Sequence, residues 1–424
     1  MMKTTTLLLA AGLATATPAL AQQSTDEVRA MVSEMMNDAD SRTSLLAGGD
    51  AGHDGKFFIA GDGFRLNVGG QLQFRYLVNV RDNDSGNDDD FSNGFQTRRT
   101  KLDFNGEVNK DWFFRVLISA DRSEGSVGLE EAFAGYKFAN GWKARWGQFK
   151  LPMLREELVS SSRQLAVERS LVNEVFTQDR SQGIEAAYAT EQWRLALAFS
   201  DGLDSENTDF NDSGPNSGLP IVVRGEAEYA FTARAEFMIS GNDWKMWEDF
   251  TSKKGQDFGF LLGVAAHYQV STQTPDPADV DTDTLQFTVD ASLEGDSWNA
   301  FAAFIYRWQE QSALGAGDTD LSDMGFVLQG GWRFAENTEL FARYESLIAD
   351  SDRFGGGEDT FNFLTLGINQ YYAGHAAKAT LDMVWSFEET SNLAGTGLQS
   401  TGNGLLGDVE ENEIVFRAQF QLLF

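Results

Sequence analysis

Residues 411–424 constrain the fold more than any other part of the chain. One face of this stretch carries Ile414, Phe416, Ala418, Phe420, Leu422 and Phe424, and the other carries Glu413, Val415, Arg417, Gln419 and Gln421. This period of two is that of a β-strand with one face in an apolar medium and the other in water. An unpaired apolar strand invites aggregation, whereas a barrel whose last strand closes on its first has no free edge. We therefore interpret the chain as a closed barrel.

The amino-terminal residues have the features of a secretory signal. Lys3 supplies a positive charge, residues 7–13 form a short apolar core, and Ala19-Leu20-Ala21 matches a cleavage site of small residues. Residues 1–21 are therefore expected to be a signal peptide that takes no part in the fold. No later stretch approaches the roughly 18 consecutive apolar residues of a membrane-spanning helix, so the exported protein is either soluble or a barrel.

Two segments precede the expected barrel. Residues 24–42 combine a capping box with an apolar stripe, which predicts a short periplasmic helix that packs as a self-associating coil. The alternative is a disordered tether. Residues 48–63 are rich in glycine and are interpreted as a linker. The predicted domains are therefore 22–62 for the helix and linker, and 63–424 for a transmembrane antiparallel β-barrel.

The composition excludes several kinds of function. The chain has no Cys, so neither disulfides nor thiol chemistry is expected. Its formal net charge of -31 argues against nucleic-acid binding, which needs a basic surface. The only histidines, His53, His267 and His375, are scattered along the chain, so we expect no metal site, no cofactor and no Ser-His-Asp site. A barrel enzyme of the outer-membrane lipase kind would need a nucleophile motif near His267, and none is found there.

From residue 64 onward, alternating runs are separated by short and long connections in turn. We count about sixteen strands, with the first at residues 64–80 and the eighth at residues 222–231, and we expect a helical stretch around residues 244–247. An even strand number with short periplasmic turns and long extracellular loops is typical of outer-membrane barrels, and it places both termini in the periplasm. The alternative, a soluble all-β protein, would have to cover many outward-facing aromatic residues without helices.

Tryptophans near the predicted strand ends support the membrane interpretation, because aromatic belts lie at membrane–water interfaces. The residues are Trp112, Trp142, Trp193, Trp298, Trp332 and Trp385.

A barrel of this size encloses an aqueous channel, so its function should depend on the side chains that face the lumen. The basic residues predicted on that face are Arg65, Arg75, Arg99, Lys101, Arg115, Lys137, Lys143, Arg145, Arg194, Arg307, Arg333, Arg343, Lys378 and Arg417. The acidic ones are Asp103, Glu107, Glu131, Glu226, Glu228, Glu345 and Asp382. A surplus of Arg and Lys favours anions. The alternative is that wall cations and carboxylates pair and only stiffen the barrel.

Residues 150–180 form the longest interior stretch without alternation. They follow a predicted strand, are too long for a hairpin, and mix cations such as Lys150 and Arg155 with several glutamates. We interpret them as a constriction loop that folds into the lumen and sets the diameter and field of the pore. The alternative is a plain surface loop.

The barrel region contains a set of short motifs. They are Phe95-Gln96-Thr97-Arg98-Arg99, Lys110-Asp111-Trp112, Gly147-Gln148-Phe149-Lys150-Leu151-Pro152, Glu156-Glu157-Leu158, Ser160-Ser161-Ser162, Glu168-Arg169-Ser170-Leu171, Asp179-Arg180 and Leu340-Phe341-Ala342-Arg343-Tyr344-Glu345. Together they resemble the motifs of the phosphate-selective porins O and P. The resemblance is densest from residue 95 to residue 183 and spans most of the barrel.

This resemblance implies a trimeric outer-membrane porin of sixteen strands, whose third loop folds inward and whose basic residues bind phosphate. The best candidates that it transfers are Arg98, Arg99, Lys150 and the three serines. In a regular strand Arg98 and Arg99 point to opposite faces, so both reach the lumen only if a bulge intervenes. Together with the lumen analysis, the predicted pore residues are Arg75, Arg98, Arg99, Lys101, Arg115, Lys150, Arg155, Ser160, Ser161, Ser162 and Arg343.

The predicted function is passive diffusion of small hydrophilic solutes, with a preference for anions such as phosphate. The predicted partners are two further copies of the chain, outer-membrane lipids and lipopolysaccharide, the last through acidic loops such as residues 82–90, which match a calcium-binding loop only superficially. Two alternatives remain open. One is a general porin that is weakly selective or tolerates cations, and the other is a plugged structural or adhesive barrel.

Overall fold

The computed structural model describes residues 49–81, 91–120, 126–177, 180–203, 226–273, 280–313, 317–354, 358–396 and 402–424. The expected signal peptide, the expected helix at residues 24–42 and the acidic loop at residues 82–90 lie outside the described residues.

Sixteen strands, β3 to β18, form one closed antiparallel sheet. Each pairs with the next along the chain, and β18 returns to β3, with Ile414 opposite Val80 and Leu423 opposite Gln71. The predicted barrel of about sixteen strands is confirmed, and residues 411–424 contain its closing strand. The strands are β3 (Phe64–Val80), β4 (Phe91–Val108), β5 (Trp112–Ala120), β6 (Val127–Lys137), β7 (Trp142–Lys150), β8 (Arg180–Ala189), β9 (Trp193–Ser200), β10 (Glu226–Ser240), β11 (Gly259–Gln273), β12 (Val280–Gly295), β13 (Trp298–Ala313), β14 (Gly317–Ala335), β15 (Thr338–Ile348), β16 (Thr360–Tyr371), β17 (Ala377–Ser386) and β18 (Ile414–Leu423).

Two short strands precede the barrel, β1 (Gly49–His53) and β2 (Phe57–Gly61). β2 pairs with the first residues of β3, from Phe57 opposite Val68 to Gly61 opposite Phe64. It thus continues the seam beyond the point where β18 ends. The residues interpreted as a linker thus include a short paired strand, which begins at the apolar residue Phe57.

The two faces of the strands differ in exposure as the alternation predicts. In β18, Phe416 and Phe420 are exposed on the outer face, whereas Val415, Arg417 and Gln421 are buried on the inner face. The tryptophans of the expected belt lie at or near strand ends. They are Trp112, Trp142, Trp193 and Trp298, the first residues of β5, β7, β9 and β13, with Trp332 and Trp385 close to the ends of β14 and β17.

The eighth barrel strand is longer than predicted. β10 spans Glu226–Ser240, whereas the sequence placed it at residues 222–231. Its second half alternates polar inward side chains such as Arg234 with outward ones such as Phe237, and the charged residues among the alanines masked this period. The helical stretch expected near residue 245 is present as a 3₁₀ helix, Trp244–Glu248.

A segment of the chain fills part of the barrel interior. The connection between β7 and β8, here called the inner segment (residues 151–177), contains two short helices, α1 (Arg155–Leu158) and α2 (Leu171–Phe176), and is mostly buried. Its apolar side chains form one buried cluster with inward-facing side chains of the wall. The segment contributes Met153, Leu154, Val159, Leu165, Ala166, Leu171, Val172, Val175 and Phe176, and the wall strands contribute residues such as Phe301, Ile305, Leu347, Phe361 and Phe363.

Among the described residues, no helix has the length and apolar character that a membrane crossing requires. In the same ranges, no group of three or more histidine, aspartate or glutamate residues is arranged to hold a metal ion.

Candidate permeation site

A cavity of about 1500 Å³ lies inside the barrel, lined by the inner segment, by a wall formed mainly by β3 to β9, and by residues of the connection between β10 and β11. Among the described residues, fifteen lysines and arginines line it against eight aspartates and glutamates. The whole chain has 33 basic and 64 acidic residues, so the cavity concentrates positive charge within a strongly acidic protein. The basic lining residues are Lys56, Arg98, Arg99, Lys101, Arg115, Arg145, Lys150, Arg155, Arg163, Arg169, Arg180, Arg194, Lys245, Lys253 and Arg333.

The opposite half of the wall uses its cations differently. Four inward-facing cations on β10 to β17 donate to backbone carbonyls of the inner segment, and none of the four lines the cavity. The contacts are Arg234 to Met153 (2.9 Å), Arg307 to Val175 (3.3 Å), Arg343 to Glu168 (3.0 Å) and Lys378 to Gln164 (2.8 Å). These cations hold the segment against one side of the barrel. Most cavity-lining cations therefore lie on the other half of the wall.

Buried carboxylates fix the helices of the inner segment. Glu156 accepts hydrogen bonds from the backbone N of Ser170 (2.7 Å) and from its hydroxyl (2.5 Å). Ser170 Oγ in turn accepts from Asn173 N at 2.9 Å, which caps the amino terminus of α2. Glu345 of β15 accepts from Leu171 N at the same helix end. The segment is thus anchored both to itself and to the wall.

A β-bulge brings two consecutive arginines to the inner face of β4. Gln73 lies opposite Arg99 and Phe74 lies opposite Thr97, so Arg98 is the extra residue. Because the extra residue resets the alternation, Arg98 and Arg99 both point inward and both line the cavity.

Three guanidinium groups converge on one carboxylate at this bulge. Glu168 Oε1 accepts from Arg75 Nη1 (2.6 Å) and Arg98 Nε (2.6 Å), and its Oε2 accepts from Arg99 Nη2 (2.7 Å). Burial alone would raise the pKa of Glu168, but Arg98, Arg99 and Arg75 outweigh it and hold the pKa well below its usual range. One negative charge therefore faces three positive ones, and a net positive charge remains at the cavity wall.

A second bulge lies across the cavity wall in β6. Leu117 pairs with Glu131 and Ile118 with Leu129, so Glu130 is the extra residue and both glutamates reach the lumen. Glu130 pairs with Lys101 (2.5 Å) and with Arg180 (3.1 Å). Glu131 is shared in the same way between Arg115 (2.8 Å) and Arg180 (3.2 Å). At both bulges the carboxylates are outnumbered by the cations that contact them.

Gly147 of β7 lies in close contact with the neighbouring strand β6. Its φ of +124° is one that other residues rarely adopt, and an added Cβ would lie 2.2 Å from the carbonyl oxygen of Ala132. Beyond it, Phe149 is fully buried, with the guanidinium of Arg145 over its ring at 4.2 Å. Lys150 then points back to the segment.

Lys150 and Arg169 share the carboxylate of Glu157, at 2.7 Å and 3.2 Å. Burial opposes ionisation of Glu157, yet Arg169 and Lys150 lower its pKa to about 2. The serines that follow face the cavity, where Ser160 Oγ and Ser162 Oγ are 2.9 Å apart and Gln421 donates to the carbonyl of Ser162 at 2.9 Å.

A second connection enters the barrel from the opposite end. Residues 241–258 join β10 to β11 at the end that otherwise has short turns, such as those at residues 190–192 and 296–297. Within this connection Phe250 packs against Phe301, with ring centroids 4.9 Å apart. Glu248 reaches the inner segment and pairs with Arg163 at 2.5 Å. The cavity is therefore bounded by inward elements from both ends of the barrel.

Nine of the eleven predicted pore residues line the cavity, and Arg75 and Arg343 do not. Arg75 is buried behind the bulge on Glu168, and Arg343 holds the inner segment. Sequence reasoning did not identify Glu130 or the cavity contacts of Trp244 and Lys245. The adjacent Glu130 and Glu131 interrupt the alternation of β6, and this interruption was the available signal of a bulge.

A family model for "Phosphate-selective porin O and P" matches residues 66–420, most of the barrel. The chain belongs to this family. It is therefore an outer-membrane porin, a channel and not an enzyme, in a family whose members allow small solutes to diffuse. A curated relative, an uncharacterized protein of Aquifex aeolicus (strain VF5), is 25% identical over 262 residues, which are 59% of this chain and 61% of the relative. The match thus spans about three fifths of that relative.

Solved structures share the barrel. An anion-selective porin from Comamonas acidovorans is 11% identical with a TM-score of 0.56, covering 85% of this chain and 100% of that one. The channel DcaP of Acinetobacter baumannii is 15% identical with a TM-score of 0.54, covering 85% and 98%. The trimer form of OmpT of Vibrio cholerae is 12% identical with a TM-score of 0.53, covering 86% and 100%. At such identities the likeness concerns the fold alone.

Proposed function

We propose that this porin passes small hydrophilic solutes with a preference for anions, and that inorganic phosphate is among them. The observation that carries the proposal is the charge of the cavity. Its lining has nearly twice as many basic as acidic residues, while the chain as a whole has nearly twice as many acidic as basic ones. Positive charge concentrated along the cavity acts on a permeating ion at short range, whereas exposed charges farther away are screened by salt.

The arrangement of the donors suits an oxyanion better than a simple halide. Arg98 and Arg99 each present a planar fork of N–H groups, Lys150 adds an ammonium group at the end of β7, and the serines Ser160 and Ser162 add hydroxyl donors on the inner segment. A phosphate has several acceptor oxygens and so contacts both sides of the cavity at once. The shared carboxylates Glu168 and Glu157 weaken each cation in part, which favours release over tight capture.

A weakly selective general porin is the second candidate. It is favoured by the ion pairs along the wall, since Arg115, for example, already contacts Asp103 at 2.9 Å and Glu131 at 2.8 Å. If these pairs cancel the field of the cations, the channel will discriminate by size alone.

The remaining assignments are proposals as well. Residues 63–424 act as the channel domain, and the inner segment acts as its constriction. The short turns face the periplasm, which agrees with the general arrangement of outer-membrane barrels. We also assign a homotrimer, since an OmpT of the same fold has a trimer form, with lipids and lipopolysaccharide around it.

Phosphate titrated against chloride in single-channel recordings tests the proposal. We expect phosphate to reduce the chloride current in a saturable way, because it competes for the same cations. The variant Lys150→Gln should need more phosphate for the same reduction. A chloride current that phosphate leaves unchanged would favour the general porin.

A further inference from the structure

Arg194 lies at the short-turn end of the cavity, away from the two bulges. It faces inward from β9, and its guanidinium carbon lies 3.8 Å from the ring centroid of Trp244. The indole is itself fixed, since Trp244 Nε1 donates to the carbonyl of Thr190 at 2.7 Å. Arg194 and Trp244 both line the cavity. A stacked guanidinium keeps its plane and therefore the direction of its donors.

The guanidinium of Arg194 differs from the other guanidiniums discussed above in its hydrogen bonding. Within the described ranges, no protein oxygen accepts a hydrogen bond from it and no carboxylate lies within ion-pair distance. Its cross-strand neighbour is Glu236, but that carboxylate accepts from Arg234 Nε at 3.1 Å. Arg98 and Arg99, by contrast, are both engaged by Glu168. The donors of Arg194 are thus unused and face a cavity through which solutes pass.

We infer that Arg194, held by Trp244, forms a second anion subsite at the short-turn end of the channel. The class of ligand is an oxyanion that presents two acceptor oxygens side by side, such as inorganic phosphate or a carboxylate, because these match the fork of a fixed guanidinium. The cavity then contains two sites in series, Arg98–Arg99 near the inner segment and Arg194 near the exit. Two sites allow an ion at one to promote release from the other.

The inference rests on the proposed preference for anions and adds a second anion-binding position, at Arg194. The test adds phosphate to the compartment on the short-turn side of a planar bilayer and measures the block of the chloride current. Arg194→Gln should raise the half-blocking phosphate concentration about three- to tenfold, the effect of losing one charge-assisted bidentate contact. Trp244→Leu should act in the same direction because the fork is no longer fixed, and Trp244→Phe should retain most of the block.

Arg65→Gln is the matched control. It removes the same charge from a partly exposed inward-facing arginine that does not line the cavity, and it should leave the block unchanged. Heat-modifiable migration in gels verifies that each variant forms the barrel.

The possible outcomes are distinct. If phosphate blocks the wild-type channel from the short-turn side and blocks the Arg194→Gln variant equally well, the second subsite is overturned. The anion preference remains in that case. Arg194→Lys blocked as well as wild type would show that charge alone matters, which also overturns the bidentate site. If phosphate does not block the wild-type channel from this side, the second subsite is overturned. If the wild-type channel also prefers cations, the proposed function is overturned as well.

Discussion

Arg163 Nη1 lies 2.5 Å from Glu248 Oε2, although their two segments enter the barrel from opposite ends. Both side chains are partly exposed and both line the cavity. The pair therefore joins the inner segment to the connection between β10 and β11 across the cavity. An exposed pair of this kind stabilises a protein by roughly 1 kcal/mol or less, so its effect should be on the path and not on the fold.

We predict that the double variant Arg163→Ala, Glu248→Ala raises the single-channel conductance, because two side chains leave the cavity. The free energy of unfolding in detergent should change little. Arg65→Ala, Asp54→Ala removes another exposed ion pair and is the control, since neither residue lines the cavity. An unchanged conductance in the first variant would show that the solute path does not pass this pair.

Neutralising Glu168 should destabilise the barrel. Glu168→Gln leaves the buried guanidiniums of Arg75 and Arg99 without their counter-charge, and breaking a buried ion pair in this way costs about 3–5 kcal/mol. Urea unfolding in detergent micelles, monitored by heat-modifiable migration in gels, measures the loss in the free energy of unfolding. Phosphate in the buffer should restore part of the stability, because an anion that binds the folded state stabilises it. Glu168→Asp keeps the charge and should lose less, and equal losses for both variants would contradict this account.

The anion preference should depend on pH through Glu174, which lines the cavity. Burial raises its pKa to about 7, and Glu157 and Glu168 add to the rise against the opposing effect of Arg169. Glu174 is therefore neutral below this value and negative above it. Between about pH 6 and about pH 8 the zero-current potential should shift toward weaker anion preference. The shift should be smaller in Glu174→Gln than in the wild type, and an equal shift in both channels would contradict the role of Glu174.

Substitution of two inward-facing arginines, Arg343 and Arg115, should have different effects on the channel. The side chain of Arg343 is 1% exposed and contacts Glu345 at 2.7 Å, whereas that of Arg115 is 34% exposed and lines the cavity. Arg343→Gln should lower the free energy of unfolding by about 3–5 kcal/mol, because it leaves Glu345 buried and unpaired. Arg115→Gln should lose far less stability and should instead weaken the anion preference. Chemical unfolding and zero-current potentials, measured on both variants, check this division.

The strands could be predicted from the sequence because their outer faces meet an apolar medium. A residue of the outer face such as Phe416 is then apolar, and its neighbour on the inner face, Arg417, is polar. The amino-acid sequence therefore shows the period of two directly. The same signal is weak in the second half of β10, where Ala235 alternates with the inward pair Arg234 and Glu236. Nor did it indicate β2, since only five residues pair there.

The candidate site was only partly predictable. The bulge at Arg98 depends on how β4 pairs with β3, and register is a property of two strands that one strand's sequence does not contain. The separation of the wall cations into two roles was also not predictable. Arg115 and Arg343 have the same place in the alternation, and only the position of the inner segment makes one a lining residue and the other an anchor.

The zero-current potential across a planar bilayer with a potassium chloride gradient tests the central claim most directly. The claim is that the cations around Arg98, Lys150 and Arg180 give an acidic protein an anion-preferring path. We predict a potential whose sign shows chloride to be more permeant than potassium, reduced in the variant Lys150→Gln, Arg180→Gln. A potential whose sign shows potassium to be more permeant, with the same value in the wild type and the variant, would contradict the claim.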